Sequence, residues 1–371
     1  MGAMLAPISI QAQWFKSQLP PQTIKMAGFK GSDLCTVAEN THRYLKKNPT
    51  DAYAVHIGNQ VIKQRFSLKD IDATLLQLCQ IYREDVRANR QSRLHNVDFL
   101  TNNFDFYRWY PDKKSADGIA KKSTNALKTR LLTGIPTDQL FLTKYYTKLL
   151  DASPIKTEQF DQALYQLPVD EQGLTLVEAD KLKSSLTRYK YTRQQVIAGA
   201  LNQSDDQKSL AQPLVWITEE ALHDVLLQGT GVLNVDGKIR YFNVHRNNGI
   251  AYDYHIGKRD QARYWYFAEV PSIMGYGTEI DEKIAIKPHV SLAGNIKQLG
   301  LGKLFMVSYQ ANGENSSRLA ILADEGGAFD NNLFQLDMLV DSYRGWQDYH
   351  QANKHLPDYA SVWLMIRKTK D

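Results

Sequence analysis

Short β-type runs separated by glycine-containing turns recur through the last two thirds of this 371-residue chain. Asp236-Gly237 joins two alternating runs, which predicts a β-hairpin. The other clear runs are Leu140–Thr147, Ala163–Pro168, Leu214–Ile217, Tyr264–Phe267, Ile284–Ile286, Leu304–Val307, Arg318–Leu322 and Val362–Ile366. Many short strands with glycine turns are typical of barrels and not of a parallel α/β sheet. We therefore expect a mainly β fold.

The N-terminal part has a different pattern, and we expect residues 32–93 to be helical. Ser67 and Asp70 have the spacing of a capping box, which marks the start of a helix. Apolar side chains recur behind it at helical intervals, namely Ile71, Leu75, Leu76, Leu78, Cys79 and Tyr82. This pattern predicts a helix that packs on a core and carries no chemistry of its own.

Length and composition limit the function classes. With 371 residues and 43% hydrophobic residues, the chain is long enough for two domains. No stretch approaches the about 18 apolar residues of a membrane span. The net charge of +5 is spread along the chain, so we expect no nucleic-acid partner. No dinucleotide, Walker, serine-hydrolase or zinc motif is present, and we expect neither cofactor nor metal.

The two cysteines, Cys35 and Cys79, allow one disulfide. Two separate buried thiols are an equally good interpretation, because free cysteine is among the most buried residue types. The sequence leaves both alternatives open.

Two acids near the C-terminus are the candidate catalytic groups. Asp324 precedes the pair Gly326-Gly327, which predicts a strand that turns sharply, and Asp337 follows between Leu336 and Met338. Apolar burial and a nearby anion both raise a carboxyl pKa toward the working pH. We therefore interpret Asp337 as a candidate general acid.

Several segments, in order from about residue 140 to the C-terminus, resemble the family of membrane-bound lytic murein transglycosylase A. They are Thr143-Lys144-Tyr145-Tyr146-Thr147, Thr192-Arg193-Gln194 with Ala198-Gly199-Ala200-Leu201, Gln228-Gly229-Thr230-Gly231 with Asp236-Gly237, Asn248-Gly249-Ile250-Ala251-Tyr252 with Ile256-Gly257, Asp324-Glu325-Gly326-Gly327-Ala328-Phe329 with Asp337, and Val362-Trp363-Leu364. Each is short, but together they are fairly specific.

The resemblance implies an enzyme that cleaves the MurNAc-β-1,4-GlcNAc bond of peptidoglycan and leaves a 1,6-anhydro-MurNAc end. It implies a double-psi β-barrel catalytic domain with a helical N-terminal part, formed by residues 1–147 and 281–371. A second β-domain, residues 148–280, is inserted, and glycan strands lie in a groove between the two. We further expect a periplasmic monomer, associated with the outer membrane through an N-terminal lipid signal that this chain, starting Met1-Gly2-Ala3-Met4, has lost.

The position that matches the family's catalytic acid is Asp337, which would act first as acid and then as base. Asp324 matches the second acid, and either a catalytic role or a structural role at the glycine turn is open. We expect substrate contacts from a set of polar and aromatic residues, each of which core packing or turn formation could also explain. They are Thr143, Tyr145, Tyr146, Gln228, Gly229, Thr230, Asn248 and Tyr252.

This chain departs from the family pattern in several places. Two extra residues lie between the glycine turn and Asp337, Asn295 stands where the family usually has Asp, and a helical segment after Gly257 is missing. Residues up to about 135 show no match. These departures leave two alternatives, a non-catalytic peptidoglycan-binding protein with the same fold, and a hydrolase that uses Asp324 and Asp337 as a pair.

Overall fold

The computed structural model describes residues 14–58, 61–62, 66–202, 209–311, 313–326 and 329–369. In chain order the strands are β1 (Phe15–Ser17), β2 (Lys25–Met26), β3 (Phe104–Trp109), β4 (Leu140–Ala152), β5 (Gln162–Tyr165), β6 (Pro213–Ile217), β7 (Thr230–Val235), β8 (Lys238–Asn247), β9 (Trp265–Val270), β10 (Ser291–Ala293), β11 (Leu304–Ala311), β12 (Glu314–Asp324), β13 (Gln335–Tyr343) and β14 (Tyr359–Arg367). The α-helices are α1 (Gly31–Lys47), α2 (Leu68–Arg87), α3 (Val97–Asn103), α4 (Lys113–Lys122), α5 (Ala126–Thr133), α6 (Leu176–Lys181), α7 (Arg193–Ile197), α8 (Glu219–Gln228), α9 (Ile296–Leu299) and α10 (Trp346–Asn353). Short 3-10 helices occupy Arg93–His95, Val169–Glu171 and Thr187–Tyr189.

The chain forms two compact units. Unit 1 comprises Met1–Lys144, Pro288–Leu339 and His355–Asp371, and unit 2 comprises Tyr145–Lys287 and Val340–Lys354. The assignment of a barrel domain to residues 1–147 and 281–371, with residues 148–280 inserted, remains a proposal.

Unit 1 contains a sheet in the order β1, β3, β14, β11, β12, β10 and β13. Its pairings are antiparallel except between β10 and β12, and between β2 and β12. The central strands β11, β12 and β14 are almost wholly buried, as apolar β-type runs require when both faces of a sheet are covered. Helix α1 packs against β12 and α2 packs against β14.

The helical hairpin of α1 and α2 is joined by a disulfide between Cys35 and Cys79. This finding settles the alternative that the sequence left open. The two sulfurs lie near Glu39 in a spacing that could suit a metal ion, but sulfurs joined in a disulfide are not thiolate ligands. The predicted capping box is present, since Ser67 accepts from the Asp70 N–H and Asp70 accepts from the Ser67 N–H.

Lys303, which directly precedes β11, is fully buried. Its Nζ donates to the carbonyl oxygens of His56 at 3.2 Å and Leu301 at 3.4 Å. Burial lowers the pKa of Lys303 to about 7, because an ammonium group loses its hydration there.

Unit 2 contains the end of β4 followed by β7, β8 and β9 in one sheet, and the pair β5 and β6 in another. Asp236 and Gly237 form the predicted hairpin turn with φ values of 51° and 80°. Tyr264, Tyr266 and Phe267 are fully buried and belong to the hydrophobic core of unit 2.

Helix and strand contribute almost equally, so the expectation of a mainly β chain is too narrow. Part of the helix lies in the polar stretch after Pro111, which carries no clear helical pattern and forms α4 and α5. Small buried residues of α4, Ala116 and Ala120, pack with Leu132 of α5. Ile284–Ile286 is buried but forms only an isolated bridge, between Ala285 and Met274.

Among the helices in the described parts of the chain, none combines the length and the apolar character that a bilayer-spanning segment needs.

Candidate active site

Asp337 lies on β13 in unit 1, with the fully buried Leu336 and Met338 on either side. The residue as a whole is partly exposed, but its Oδ1 atom is buried and has no hydrogen-bond partner among the residues that the structure describes. None of the ion pairs found within the described ranges includes Asp337. An acid in this setting can hold its proton and still reach solvent.

The electrostatics of Asp337 favour the protonated form. Burial raises its pKa to about 6, while a hydrogen bond from Thr143 and the charge of Lys144 act in the opposite direction. Lys144 is itself held by carbonyl oxygens, among them that of Pro357 at 3.1 Å, and lies 3.4 Å from the Asp358 carboxylate. Desolvation therefore outweighs the two groups that stabilise the carboxylate.

Asp324 occupies the end of β12, two strands from Asp337. Ala293 of β10 is in register with Asp324 on one side and with Asp337 on the other. The Asp324 carboxylate accepts a hydrogen bond of 2.9 Å from the backbone N–H of Glu325. Gly327, the second glycine of the predicted turn, lies outside the described residues.

Asn295, which stands where the resemblance implies an acid, begins α9. Its Oδ1 accepts from the Gln298 N–H at 3.0 Å, and its Nδ2 donates to Gln298 Oε1 at 2.6 Å. An asparagine at this position therefore serves as an N-cap, a role in which Asn and Asp are about equally good.

Of the predicted substrate-binding residues, Thr143 lies beside Asp337. The next group, at the start of β7 in unit 2, makes contacts within the protein. Gln228 accepts from the Lys148 N–H at 3.0 Å, and Thr230 accepts from Asn243 Nδ2 at 3.0 Å. Gly229 ends α8 with φ of 73°, a conformation that favours glycine.

Asn248 is 2% exposed and closes a loop of unit 2. Its Nδ2 donates to the carbonyl oxygens of Tyr191 and Ala262, and its Oδ1 accepts from the N–H groups of Ile250 and Tyr264. These bonds use the full capacity of a side-chain amide, so the side chain holds the loop together. The loop has no helix over the residues after Gly257, as the sequence comparison with the family suggested.

Aromatic side chains gather at two places in unit 2. Tyr252 packs edge-on against Tyr254, which is 88% exposed, with ring centroids 5.0 Å apart. Tyr146 stacks on Tyr349 of α10 at 4.6 Å, and its neighbour in the chain, Tyr145, is partly buried.

The second aromatic group extends along α10. Trp346 packs against Tyr349 at 5.3 Å and stacks on His350 at 5.6 Å, and its side chain is 65% exposed. The sequence reasoning missed Trp346. The i, i+3 and i, i+4 spacing of these three residues was the available signal.

Comparison with known proteins matches residues 141–260 to the family model of the MltA specific insert domain. The resemblance to the MltA family is confirmed. No curated protein sequence matches the chain.

Three solved structures are similar to this chain in fold. Escherichia coli MltA with bound chitohexaose has 15% identity and a TM-score of 0.51, and the match covers 98% of each chain. Neisseria gonorrhoeae MltA has 13% identity and a TM-score of 0.53, covering 97% of this chain and 98% of that one. A membrane-bound lytic murein transglycosylase from Agrobacterium tumefaciens has 14% identity and a TM-score of 0.52, covering 90% and 92%. This chain has the MltA fold.

Proposed function

We propose that this chain is a peptidoglycan lytic transglycosylase that cleaves the MurNAc-β-1,4-GlcNAc bond and forms a 1,6-anhydro-MurNAc end. The observation that carries the proposal is the state of Asp337. Burial raises its pKa to about 6, and no described arginine pairs with it to keep it ionised. A carboxyl group of this kind is protonated often enough near neutral pH to act as a general acid.

One carboxyl group is sufficient for this reaction. Ordinary glycosidases need two, because one carboxylate must activate water or act as nucleophile while an acid protonates the leaving oxygen. In the proposed reaction Asp337 gives its proton to the leaving O4, and the bond from C1 to O4 breaks. The muramoyl C6 hydroxyl then forms the new bond to C1 and returns its proton to Asp337. No water is consumed, and the acid ends the cycle protonated.

The glycan ligand is proposed on two grounds. The E. coli MltA structure of the same fold has chitohexaose bound. This chain also exposes aromatic faces, such as that of Trp346, on which the apolar face of a sugar ring could stack. We expect the protein to act as a monomer on glycan strands.

A periplasmic location, with the native form associated with the outer membrane, is also proposed. The disulfide between Cys35 and Cys79 supports it, because structural disulfides persist in oxidising compartments and are rare in the cytosol.

Mass spectrometry of the products from purified sacculi tests the proposed reaction. We expect anhydro-ended muropeptides from the unaltered protein and none from Asp337→Asn, which should still bind sacculi. Products with reducing ends would indicate a hydrolase. Retention on sacculi without any product from the unaltered protein would indicate a binding protein, and full activity of Asp337→Asn would remove Asp337 from the mechanism.

A further inference from the structure

A chain of side-chain hydrogen bonds in unit 1 begins at Asn332 and ends at Thr143, beside Asp337. Nδ2 of Asn332 donates to Oε1 of Gln335 at 2.9 Å, and Nε2 of Gln335 donates to Oγ1 of Thr143 at 2.8 Å. The Thr143 hydroxyl in turn lies close enough to the Asp337 carboxyl to lower its pKa. Asn332, which is 2% exposed, is thus connected to the proposed acid through two other side chains.

A backbone group fixes the direction of this chain. The N–H of Phe334 donates to Asn332 at 3.3 Å, and since a backbone N–H can only donate, the atom it meets must be the amide oxygen. The amino group of Asn332 must then face Gln335, which has to present its oxygen. The amino group of Gln335 consequently faces Thr143, whose oxygen accepts.

Because the Thr143 oxygen accepts from Gln335, the Thr143 hydroxyl proton is free to be donated to another acceptor. A threonine hydroxyl has a single proton. The two acceptors within reach are the Leu336 carbonyl oxygen, at 3.3 Å, and the Asp337 carboxyl. The hydroxyl can therefore serve one acceptor or the other, while Gln335 keeps it from turning away from both.

We propose that Asn332 and Gln335 are positioning residues that aim the Thr143 hydroxyl, so that it donates to Asp337 while Asp337 is a carboxylate and to the Leu336 carbonyl once Asp337 is protonated. The inference rests on the proposed role of Asp337 as acid and then base. Thr143 transfers no proton in this scheme. Its hydroxyl stabilises Asp337 while Asp337 is a carboxylate, and it donates to the Leu336 carbonyl once Asp337 has regained its proton.

Asn332 lies in a part of the chain that is longer than the family pattern. The two extra residues between the glycine turn and Asp337 lie near Asn331 and Asn332, and they were one ground for the non-catalytic alternative. Asn331 adopts φ of 53°, and Asn332 then turns inward to begin the chain of hydrogen bonds. The extra residues thus supply the support of the acid.

Few charged groups near Asp337 would complicate a measurement of its pKa. The charge that acts on Asp337 is that of Lys144 on β4. The neighbouring strand β10, Ser291–Ala293, has no titratable side chain. A change in the titration of Asp337 on removal of an uncharged group can therefore be assigned to the lost hydrogen bond.

The experiment measures the pKa of Asp337 directly by carboxyl NMR titration, together with the pH dependence of kcat/KM. The variants are Thr143→Val, Gln335→Met and the double variant, with Thr143→Ser as the conservative rescue. Thr133→Val is the matched control, because the Thr133 hydroxyl bonds only to carbonyl oxygens of its own helix, α5.

We expect Thr143→Val to raise the pKa of Asp337 by roughly one pH unit, the usual effect of removing a hydrogen bond to a charged group. Gln335→Met should raise it by less, and the double variant should match Thr143→Val, because Gln335 acts only through Thr143. Thr143→Ser and Thr133→Val should leave it unchanged. Shifts that add in the double variant, or an unshifted pKa in Thr143→Val, would overturn the inference.

The NMR titration does not depend on turnover. If the unaltered protein gave no anhydro-ended products, the proposed function would fail, and if Asp337→Asn kept full activity, Asp337 would be removed from the mechanism. In either case the titration would still decide whether Gln335 and Thr143 control the carboxyl of residue 337. The two failures are therefore distinguishable.

Discussion

Asp324 and Asp337 lie on strands β12 and β13, and strand β10 runs between them. Two strand spacings correspond to about 10 Å between the backbones of the two acids. Retaining glycosidases hold their two carboxyl groups only about 5 Å apart. Inverting glycosidases hold theirs about 6.5 to 9.5 Å apart, and backbones about 10 Å apart allow either carboxyl separation. The roles of the two acids are therefore decided by their variants.

The first prediction is that the two acids respond differently to the same substitution. Asp324→Asn should reduce the rate but keep anhydro-ended products, because an asparagine oxygen can still accept from the Glu325 N–H. Asp337→Asn should give no product. Mass spectrometry of sacculus digests separates the cases, and complete loss of product in a correctly folded Asp324→Asn variant would speak for a two-acid mechanism.

The second prediction concerns the pH dependence of activity. Because Asp337 must be protonated to start the cycle and has a pKa of about 6, kcat/KM should fall about tenfold per pH unit above pH 6. Lys144→Met removes a positive charge that favours the Asp337 carboxylate, so the fall of kcat/KM should begin at a higher pH. Lys25→Met is the control, since Lys25 is exposed and pairs with Glu314. If kcat/KM of Lys144→Met fell at the same pH as in the unaltered protein, this account would be contradicted.

The third prediction links the same pKa to stability. The pKa of Asp337 is raised from 3.8 to about 6, so between these pH values the folded state holds a proton that the unfolded state has released. The contribution of this group to the free energy of unfolding is therefore largest below pH 4 and is lost as the pH rises through 6. Asp337→Asn removes this loss and should stabilise the protein at pH 8 by up to about 3 kcal/mol.

Chemical denaturation of the unaltered protein and of Asp337→Asn, at pH 4 and at pH 8, measures this effect. The gain should be present at pH 8 and almost absent at pH 4. An equal difference at both values would show that the asparagine acts through packing and not through the lost charge.

The fourth prediction concerns the disulfide. Cys35 and Cys79 are 44 residues apart, and closing a loop of that length in the unfolded chain corresponds to about 4 kcal/mol in the chain-entropy model. A double Cys35→Ser, Cys79→Ser variant should therefore have a clearly lower Tm. Reductant should lower the Tm of the unaltered protein toward that of the variant and leave the variant itself unchanged. Equal Tm values for the oxidised protein and the variant would contradict the prediction.

The fifth prediction concerns the exposed indole of α10. Trp346 is 65% exposed and stacks on His350, which leaves aromatic surface for a sugar ring. Trp346→Ala should weaken glycan binding by roughly twofold to tenfold, the range expected for one lost aromatic contact. Binding should be measured in an Asp337→Asn background, so that the ligand is not cleaved. Ile155→Ala, at an equally exposed apolar position of unit 2, is the control, and equal effects of the two would refute sugar stacking.

Local signals in the sequence predicted much of the fold correctly. The capping box at Ser67 and the turn at Asp236-Gly237 each depend on neighbouring residues, and both are present. The helix α4 was missed because its apolar residues are few and mostly small, so that polar side chains dominate the pattern. The helix α5 contains three leucines but has only eight residues, which is too short to show a clear helical period.

The site was predictable only in part. Asp337 could be identified because its apolar neighbours and its surrounding motif lie within a few residues. The link from Asp337 to Gln335 through Thr143 could not be predicted. Gln335 and Thr143 are 192 positions apart in the chain and meet only through strand pairing. The pairing of Cys35 with Cys79 was undecided for the same reason, as 44 positions separate them in the chain.

Lys303 has a consequence for any titration of this protein. With a pKa of about 7, this core ammonium group is half deprotonated in neutral buffer, only about one pH unit above the proposed acid. Molecules with and without a charge in the interior therefore coexist under ordinary assay conditions. Because the unfolded chain restores the ordinary pKa of this lysine, heats of unfolding measured near neutrality will contain a buffer-dependent term from its proton uptake, which Lys303→Met would remove.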